Sequence, residues 1–455
     1  MTPPTGTVFH AARALLPSGW ARDVLITCDA AGTITAAVAG APPGHADRLR
    51  GHVIPGLVNL HSHAFQRAMA GRAERRSPAG RDSFWTWRET MYRFALTLSP
   101  EDAEAVAAQL YAEMLARGFT HVVEFHYLHH APDGSPYAER AEMALRHMEA
   151  AAMTGIGITM APSLYRHGGI FGQPPHDGQR RFLNDLDPFL RILEAVQHRA
   201  GTQPQAAWAV APHSLRAVTP EMLVAMANLA CPIHIHAAEQ EKEVEECLAA
   251  TGLRPVEWLL RHVPLDARWC LIHATHMTED ETVALAGTGA VAGLCPSTEA
   301  SLGDGIFALP TFLAAGGRLG LGTDSHVGLC PAAEIRQLET SQRLRRHERS
   351  VATSEAAPHP ARALYDAAAR GGARAAGVRV GRIEPGWRCD LVELDDEAFP
   401  GAAGDELLDA WCFGPVTGAV RSVHVAGRPR VIGGAHREAQ ATGRRFADAM
   451  RRLWA

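Results

Sequence analysis

The segment VIPGLVNLHSHAFQRAMAG, residues 53–71, decides the fold. It opens with an apolar run typical of a buried strand, and His61 and His63 stand at the end of that run. Alternate residues of a strand point to the same face, so both imidazoles lie on one side. One His-x-His pair is a weak signal by itself, because histidines are often found in protein cores. Its meaning depends on whether similar strand ends occur elsewhere in the chain.

Eight short apolar runs, separated by helical-looking segments, follow one another along the middle of the chain. They are GLVNLHSH (56–63), THVVEFHY (120–127), GIGITMAPSLY (155–165), AAWAVAPHS (206–214), CPIHIHAAE (231–239), WCLIHATH (269–276), AVAGLCPS (290–297) and LGLGTDS (319–325). Strands that alternate with helices are typical of a parallel sheet, and eight of them predict an α/β fold with a closed, TIM-like (β/α)8 barrel. In that architecture functional side chains lie at the carboxyl ends of the strands.

The two ends of the chain follow a different pattern. Residues 1–55 and 379–435 alternate apolar and polar positions between turn signals, as β-strands do. We expect the two ends to pair in one small, β-sandwich-like domain beside the barrel. The predicted organisation is therefore 1–55 and 379–435 for the β-domain, 56–378 for the catalytic barrel and 436–455 for a C-terminal surface helix.

Composition and charge exclude several classes of function. With 455 residues, 47% of them hydrophobic, the chain is long enough for a large domain and a small one. A formal net charge of −5 offers no basic face for nucleic acid. No apolar run approaches the roughly 20 residues that cross a bilayer, and the N-terminus has no export signal. The eight cysteines include no CxxC pair, so a cytoplasmic protein with reduced thiols and small-molecule partners is expected.

Two further strand ends strengthen the metal hypothesis. The segment HIHAAE (234–239) ends the fifth predicted strand, and Asp324 in LGTDSH ends the eighth. Three histidines and one carboxylate form a ligand set that suits Zn²⁺, with Fe²⁺ as the second choice. His234 and His236 face the same side of their strand, so the pattern alone leaves both as candidates for the third histidine.

These segments resemble the amidohydrolase superfamily and, within it, the formimidoylglutamate deiminases. The resemblance extends over nearly the whole chain. The residues that carry it are PGLVNLHSHAFQRAMAG (55–71), DSFWTWRETMY (82–92), HIHAAE (234–239), HATH (273–276), LCPSTEASLGDGIF (294–307) and LGTDSH (321–326). It implies a (β/α)8 metal-dependent hydrolase whose metal ligands are His61, His63, His236 and Asp324.

By the same resemblance, Glu239 and His273 lie beside the ion as acid–base and electrostatic groups. His236 is preferred to His234 as a ligand because the HxxE pattern then places Glu239 over the metal. Many superfamily members hold two metals bridged by a carboxylated lysine on a barrel strand. Lys242 is the single lysine among 44 basic residues, and it lies in the acidic run EQEKEVEE (239–246) outside every predicted strand. We therefore expect one ion per chain.

The activity that the resemblance implies is hydrolysis of the formimino C–N bond of N-formimino-L-glutamate, a step of histidine degradation that yields N-formyl-L-glutamate and ammonia. A zinc-bound water has a pKa of about 7 and supplies the nucleophile. Asp324 would accept the proton of this water, Glu239 would protonate the departing nitrogen, and His273 would hold the water or polarise the reacting carbon. Release of formamide instead of ammonia stays open, although the resemblance favours ammonia.

The substrate carries two carboxylates, and arginine is the residue that pairs with carboxylates in bidentate fashion. Arg88 in FWTWRE and Arg216 in APHSLR are the candidates for this dianion. Gln66, Tyr127 and His213 are expected as hydrogen-bonding partners near the strand ends.

Two rival interpretations stay open. A one-metal deaminase of a ring amidine, of the adenosine, guanine or S-adenosylhomocysteine type, would use the same ligands but would need stacking aromatic groups and amides. A metal-binding barrel without catalysis would not need the two carboxylates Glu239 and Asp324. Barrels of this kind are often homodimers, which we expect here. Trp85 and Trp87 could line the pocket, although packing is the more common role of such aromatic residues, and Glu299 is expected to be structural. His326 could contact either a substrate carboxylate or the surroundings of Asp324, and His276 has no assigned role.

Overall fold

The computed structural model describes residues 6–74, 82–415 and 418–454, so residues 1–5 and 455 of the predicted terminal segments lie outside it. The strands are β1 (Val8–Leu16), β2 (Gly19–Cys28), β3 (Ile34–Val38), β4 (Asp47–Pro55), β5 (Leu57–Ser62), β6 (Phe119–His126), β7 (Gly157–Leu164), β8 (Ala206–Trp208), β9 (Ala211–Pro212), β10 (Ile233–Ala237), β11 (Trp269–His273), β12 (Val291–Leu294), β13 (Arg318–Leu321), β14 (Leu391–Leu394), β15 (Val420–Val425), β16 (Arg428–Ile432) and β17 (Ala435–His436).

The helices lie mostly between the barrel strands. They are α1 (Phe84–Ala95), α2 (Pro100–Arg117), α3 (Glu142–Thr154), α4 (Leu186–Thr202), α5 (Pro220–Ala227), α6 (Glu241–Thr251), α7 (Pro255–His262), α8 (Glu279–Thr288), α9 (Pro296–Leu302), α10 (Leu309–Ala314), α11 (Pro331–Arg346), α12 (Pro360–Ala376), α13 (Asp405–Phe413) and α14 (Ala439–Leu453). Short 3₁₀ helices span Ala64–Met69, Asp177–Gln179 and Asp396–Ala398.

The middle of the chain forms the barrel. Strands β5 to β8 pair in parallel as one sheet, with β9 beside β7, and β10 to β13 pair in parallel as a second sheet. Parallel bridges close the ring, between Ser62 and Asp324 on one side and between Ser214 and His236 on the other. Each of the eight predicted runs overlaps one of these strands, and the fourth run contains both β8 and β9. The predicted barrel is confirmed.

Burial on both faces explains why the barrel strands are so apolar. Every residue of β5, β6, β7, β10, β11 and β12 is buried, as in a parallel sheet that helices cover. Helix α2 shows how the connections are fixed: the Ser99 side chain accepts a hydrogen bond from the Asp102 amide, and Pro100 stands in the first turn. Gly118, at φ 104°, ends the helix and β6 follows at once.

The strands from the two chain ends form one continuous sheet in the order β17-β16-β15-β14-β4-β1-β2-β3. The two ends meet where β4 pairs antiparallel with β14, and β1 lies parallel to β4. Phe9, Val24, Ile26 and Leu391 are buried in the core of this domain. The β-rich domain built from both chain ends is thus present beside the barrel.

Helix α14 lies against α2 and the end of α1. Arg452 donates hydrogen bonds to Asp102, and the Trp454 ring stacks on Phe94 with centroids 5.2 Å apart. The Trp454 indole also donates to the Ala68 carbonyl at 3.2 Å. Among the described residues, no helix combines the length and the apolar character needed to span a membrane.

Candidate metal centre and active site

Four predicted ligands converge at the carboxyl ends of β5, β10 and β13. The Nε2 atoms of His61 and His236 lie 3.1 Å apart. Asp324 Oδ1 lies 3.5 Å from His61 Nε2 and 3.4 Å from His63 Nε2. All four residues are buried, with at most 6% of their surface exposed. The donor atoms of His61, His63 and His236 lie close enough together to hold one metal ion, and His61 forms a second such group with Asp324 and His273.

The tautomers of the histidines suit a divalent ion. His63 Nδ1 lies 2.8 Å from the Phe125 carbonyl and His236 Nδ1 lies 3.0 Å from the His213 carbonyl, so both rings donate through Nδ1. Their Nε2 lone pairs then face the centre, because metal-binding histidines commonly donate their other ring N–H to a carbonyl that fixes the ring. Burial lowers the pKa of His61, His63 and His236, which keeps the rings neutral. His61 Nδ1 is buried without a hydrogen-bond partner among the described residues, and three neutral imidazoles with one carboxylate form a donor set that fits Zn²⁺.

His234 does not join this cluster. Its Nε2 lies 2.8 Å from the carbonyl oxygen of Ala375, in the last turn of α12. His234 is fully buried and ties β10 to that helix. The geometry therefore favours His236 as the third histidine of the centre.

Two carboxylates face His273 beside the cluster. His273 Nε2 lies 3.6 Å from Glu239 Oε1 and 3.9 Å from Asp324 Oδ2. Burial alone would lower the pKa of His273, but the nearby carboxylates, above all Glu239, raise it to about 10. Burial also raises the pKa of Glu239, although His273 and Arg216 oppose this. The pair can therefore hold a proton between them near the reacting position.

The backbone is strained at these strand ends. His273 has φ 67°, Asp324 has φ 45°, and Ala238, the residue before Glu239, has φ 51°. Residues other than glycine rarely adopt this left-handed region, and such strain collects at functional sites because the surrounding structure must hold it. The turns after β10, β11 and β13 bring the side chains of Glu239, His273 and Asp324 together, with His273 Nε2 within 3.9 Å of both carboxylates.

A cavity opens over the cluster, and all five predicted substrate-binding residues line it. Gln66 Nε2 donates to the Tyr127 hydroxyl at 2.9 Å, and the His213 ring packs 4.8 Å from the His236 ring. The lining consists of His63, Gln66, Phe84, Trp87, Arg88, Met91, Tyr92, Tyr127, Tyr165, Phe182, His213, Arg216, His236, Glu239, Leu302 and Asp324.

The two arginines of the cavity differ in their surroundings. Arg216 lies 3.5 Å from Glu239 and 3.9 Å from Glu243, so carboxylates already balance its charge. The Arg88 guanidinium lies over the rings of Trp85 at 4.4 Å and Tyr92 at 5.3 Å. The Nε atoms of both arginines are buried without a hydrogen-bond partner among the described residues, so the two differ in the carboxylates beside Arg216. Arg88 is thus the cation with more capacity left for an anionic ligand.

Three carboxylates support the centre, of which sequence reasoning singled out Glu299 for a structural role and assigned no role to Glu243 or Glu124. Glu243 accepts from the amides of Ala238 and Glu239, both at 3.2 Å. Glu299, predicted only as structural, accepts from the Cys295 amide and lies 3.3 Å from His273 Nδ1, which orients that ring. A signal for Glu243 exists in retrospect: it is the third residue of α6, where a carboxylate can bond back to the preceding amides.

The third support is Glu124 on β6. It accepts from the Ala64 amide and the Ser62 hydroxyl, each at 2.7 Å, and these residues flank His63. Tyr111 donates to the same carboxylate at 3.1 Å. Burial raises the pKa of Glu124 to about 8. Glu124 therefore fixes the backbone on both sides of a predicted ligand.

The remaining residues singled out in the sequence lie around the centre rather than in it. His326 contacts Thr323 and Ser62 through its two ring nitrogens, and His276 Nε2 lies 2.7 Å from the Asp304 carbonyl. Lys242 lies at the start of α6, paired with a glutamate one turn on, and its side chain is 54% exposed. No lysine therefore stands on any described barrel strand.

Comparison with known proteins identifies the family. The amidohydrolase family profile matches residues 52–430, and a profile described as the N-terminal domain of formimidoylglutamate deiminase HutF matches residues 6–51. The chain is 49% identical to the formimidoylglutamate deiminase of Pseudomonas aeruginosa, over 98% of this chain and 99% of that one. It is 31% identical to the 8-oxoguanine deaminase of the same organism, over 86% and 84% of the two chains. The crystal structure of an amidohydrolase from Brucella melitensis superposes with a TM-score of 0.94 at 49% identity, covering 99% and 100% of the chains. The chain belongs to the amidohydrolase family and carries at its N-terminus the domain found in formimidoylglutamate deiminase.

Proposed function

We propose that this protein is a metal-dependent deiminase that hydrolyses N-formimino-L-glutamate to N-formyl-L-glutamate and ammonia. The observation that carries the proposal is the position of Arg88 and Arg216 in a cavity over the converging side chains of His61, His63, His236 and Asp324. The ion held by these side chains would activate water, and the two arginines of the cavity are cations suited to a dicarboxylate. The relative of 49% identity, itself named formimidoylglutamate deiminase, supports the same substrate.

The ion that we propose is one Zn²⁺ per chain, held by His61, His63, His236 and Asp324, with Fe²⁺ as the second choice. Bound there, it would act as a Lewis acid that makes hydroxide available near pH 7. The position of Lys242, away from the barrel strands, supports one ion rather than two.

The side chains of the chain itself then move the protons. Asp324 accepts a proton from the attacking water, whose oxygen bonds to the formimino carbon. Glu239 delivers a proton to the terminal nitrogen, the C–N bond breaks, and ammonia leaves. The second proton of the water stays on the carboxylates as the formyl C=O forms, so atoms and charge balance for an amidinium substrate. His273, between Glu239 and Asp324, stabilises the developing charge, a contribution of roughly 3–4 kcal/mol in comparable preorganised sites.

Substrate recognition follows from the lining of the cavity. Arg88 would bind one carboxylate and Arg216 the other, each as a charge-assisted hydrogen bond. Gln66 and Tyr127 line the same cavity and are joined to each other at 2.9 Å, and the Tyr127 ring lies 4.8 Å from the His63 ring. A flexible dianion offers a carboxylate to each guanidinium group, whereas a neutral purine base offers neither of them one.

A substrate comparison tests the proposal. The metal-loaded protein is incubated with N-formimino-L-glutamate, 8-oxoguanine, adenosine and S-adenosylhomocysteine, and ammonia release is measured for each. We expect kcat/KM for N-formimino-L-glutamate to exceed the others by about 10³-fold or more, because 8-oxoguanine and adenosine lack both carboxylates and S-adenosylhomocysteine has only one. N-formyl-L-glutamate should be the carbon product. Faster deamination of a purine, or formation of glutamate and formamide, would overturn the proposal.

A further inference from the structure

One arginine outside the cavity is completely buried and has no carboxylate partner among the described residues. Arg181, in the connection between β7 and α4, has 0% of its surface exposed. Its guanidinium donates only to neutral oxygens: Nε to the His130 carbonyl at 2.6 Å, Nη1 to the carbonyls of Ala95 and Leu98 at 2.5 and 2.9 Å, and Nη2 to the Tyr137 hydroxyl at 3.4 Å. A buried charge needs such a set of hydrogen bonds to be tolerated. Because burying the charge of Arg181 costs free energy, we expect a specific role of this side chain in the structure.

Two of the carbonyls that Arg181 binds lie at the C-terminal end of α1. Ala95 is the last residue of α1, and Leu98 follows in the turn beyond it. The last carbonyls of a helix have no partner within the helix and carry partial negative charge, so a cation there is favourable. Helix α1 carries Arg88 over the cavity. Arg181 therefore fixes one end of the helix that presents this cation.

The same segment is tied to the barrel and to the cavity wall. The Arg181 carbonyl accepts from the amides of His129 and His130, just beyond β6, both at 3.0 Å. Gln179 is fully buried and donates to the Tyr165 hydroxyl at 2.6 Å, and the Phe182 ring packs against Tyr127 at 5.0 Å. Segment 179–182 thus joins α1, the end of β6 and the cavity wall into one unit.

We propose that Arg181 is a positioning residue for substrate recognition, which holds α1 so that Arg88 meets a substrate carboxylate. The proposal rests on the proposed function, since it needs an anionic substrate group at Arg88. It assigns no chemistry to Arg181 itself, which does not touch the cavity.

The test compares Arg181→Met with Arg180→Met, its neighbour in sequence, whose side chain is 29% exposed and bonds at the surface to Pro132 and Asp177. For N-formimino-L-glutamate we expect Arg181→Met to raise KM roughly tenfold or more, the size of one lost charge-assisted contact. We expect kcat to stay within about threefold and the zinc content to stay near one per chain, because the chemistry is untouched. Arg180→Met should match the wild type.

Two further measurements separate positioning from a general loss of stability. Arg181→Met and Arg88→Met should not be additive: once Arg88 is gone, removing Arg181 should change KM by less than about twofold, because both act through one contact. Hydrogen exchange of the α1 amides, residues 84–95, should accelerate in the Arg181 variants and not in Arg180→Met. Should Arg181→Met not fold, Arg181→Lys takes its place, with a smaller rise in KM and the same change in exchange.

Three outcomes overturn the inference: an unchanged KM in the folded Arg181 variants, a KM effect that adds fully to that of Arg88→Met, or unchanged exchange in α1. If the wild type does not hydrolyse N-formimino-L-glutamate, the proposed function fails and this inference falls with it. If the wild type is active and the Arg181 variants bind substrate normally, only this inference falls.

Discussion

Replacing Glu239 by glutamine tests the assignment of the proton carrier. Glutamine keeps the size of the side chain, and the backbone amide of residue 239 keeps its bond to Glu243 at 3.2 Å. Arg216, 3.5 Å away, can still donate to the amide oxygen, so the cavity should hold its shape. What is lost is the carboxylate that carries a proton to the leaving nitrogen. General acid–base groups contribute roughly 10²–10⁴-fold to turnover.

For Glu239→Gln we therefore expect kcat to fall by roughly 10²–10⁴-fold, about 3–5 kcal/mol of transition-state stabilisation. The assay is continuous detection of ammonia from N-formimino-L-glutamate, with metal content measured on the same preparation. Glu241→Gln, two residues along at an exposed position, is the matched control and should keep wild-type turnover. A Glu239→Gln protein that retains its metal and turns over within about threefold of wild type would refute the role.

Three more predictions follow from single side chains. Arg88→Met should raise KM for N-formimino-L-glutamate about 10- to 100-fold, because a charge-assisted bond is worth roughly 1.5–3 kcal/mol. Arg93→Met, at an exposed position of α1, is the control and should leave KM unchanged. Equal KM values in the two variants would contradict a role of Arg88 in substrate binding. Lys242→Ala should leave both the zinc content and kcat/KM unchanged, and loss of metal from this variant would show that the lysine takes part in the centre. Tyr365→Phe should lower the free energy of unfolding by about 1–3 kcal/mol in chemical denaturation, because the buried Tyr365 hydroxyl donates to the Pro55 carbonyl at 2.6 Å. An unchanged free energy of unfolding would contradict this prediction and mean that water satisfies the carbonyl in the variant.

The fold and the neighbourhood of the site were predictable because both depend on periodic features of the sequence. Eight apolar runs identify the barrel, and parallel strands bring their carboxyl ends to one rim. His61 and Asp324 could therefore be expected to approach each other although they are far apart in the chain. The structure places their ring and carboxylate atoms 3.5 Å apart.

Contacts that depend on one tertiary approach could not be predicted in the same way. Strand alternation leaves His234 and His236 equivalent, and only the position of the Ala375 carbonyl in α12 separates them. Glu243 lies in an acidic run that looks solvated, yet the turn before α6 brings it inside. Arg181 is one arginine among many, and its burial depends on where the end of α1 meets the connection after β7.

Metal reconstitution tests the central claim most directly. The protein is stripped of divalent ions with a chelator and titrated with Zn²⁺ while ammonia and N-formyl-L-glutamate are measured. We predict no activity without metal and full activity at one equivalent per chain, with His236→Ala binding no zinc and His234→Ala still binding it. Full activity in the metal-free protein, or a requirement for two equivalents, would contradict the account.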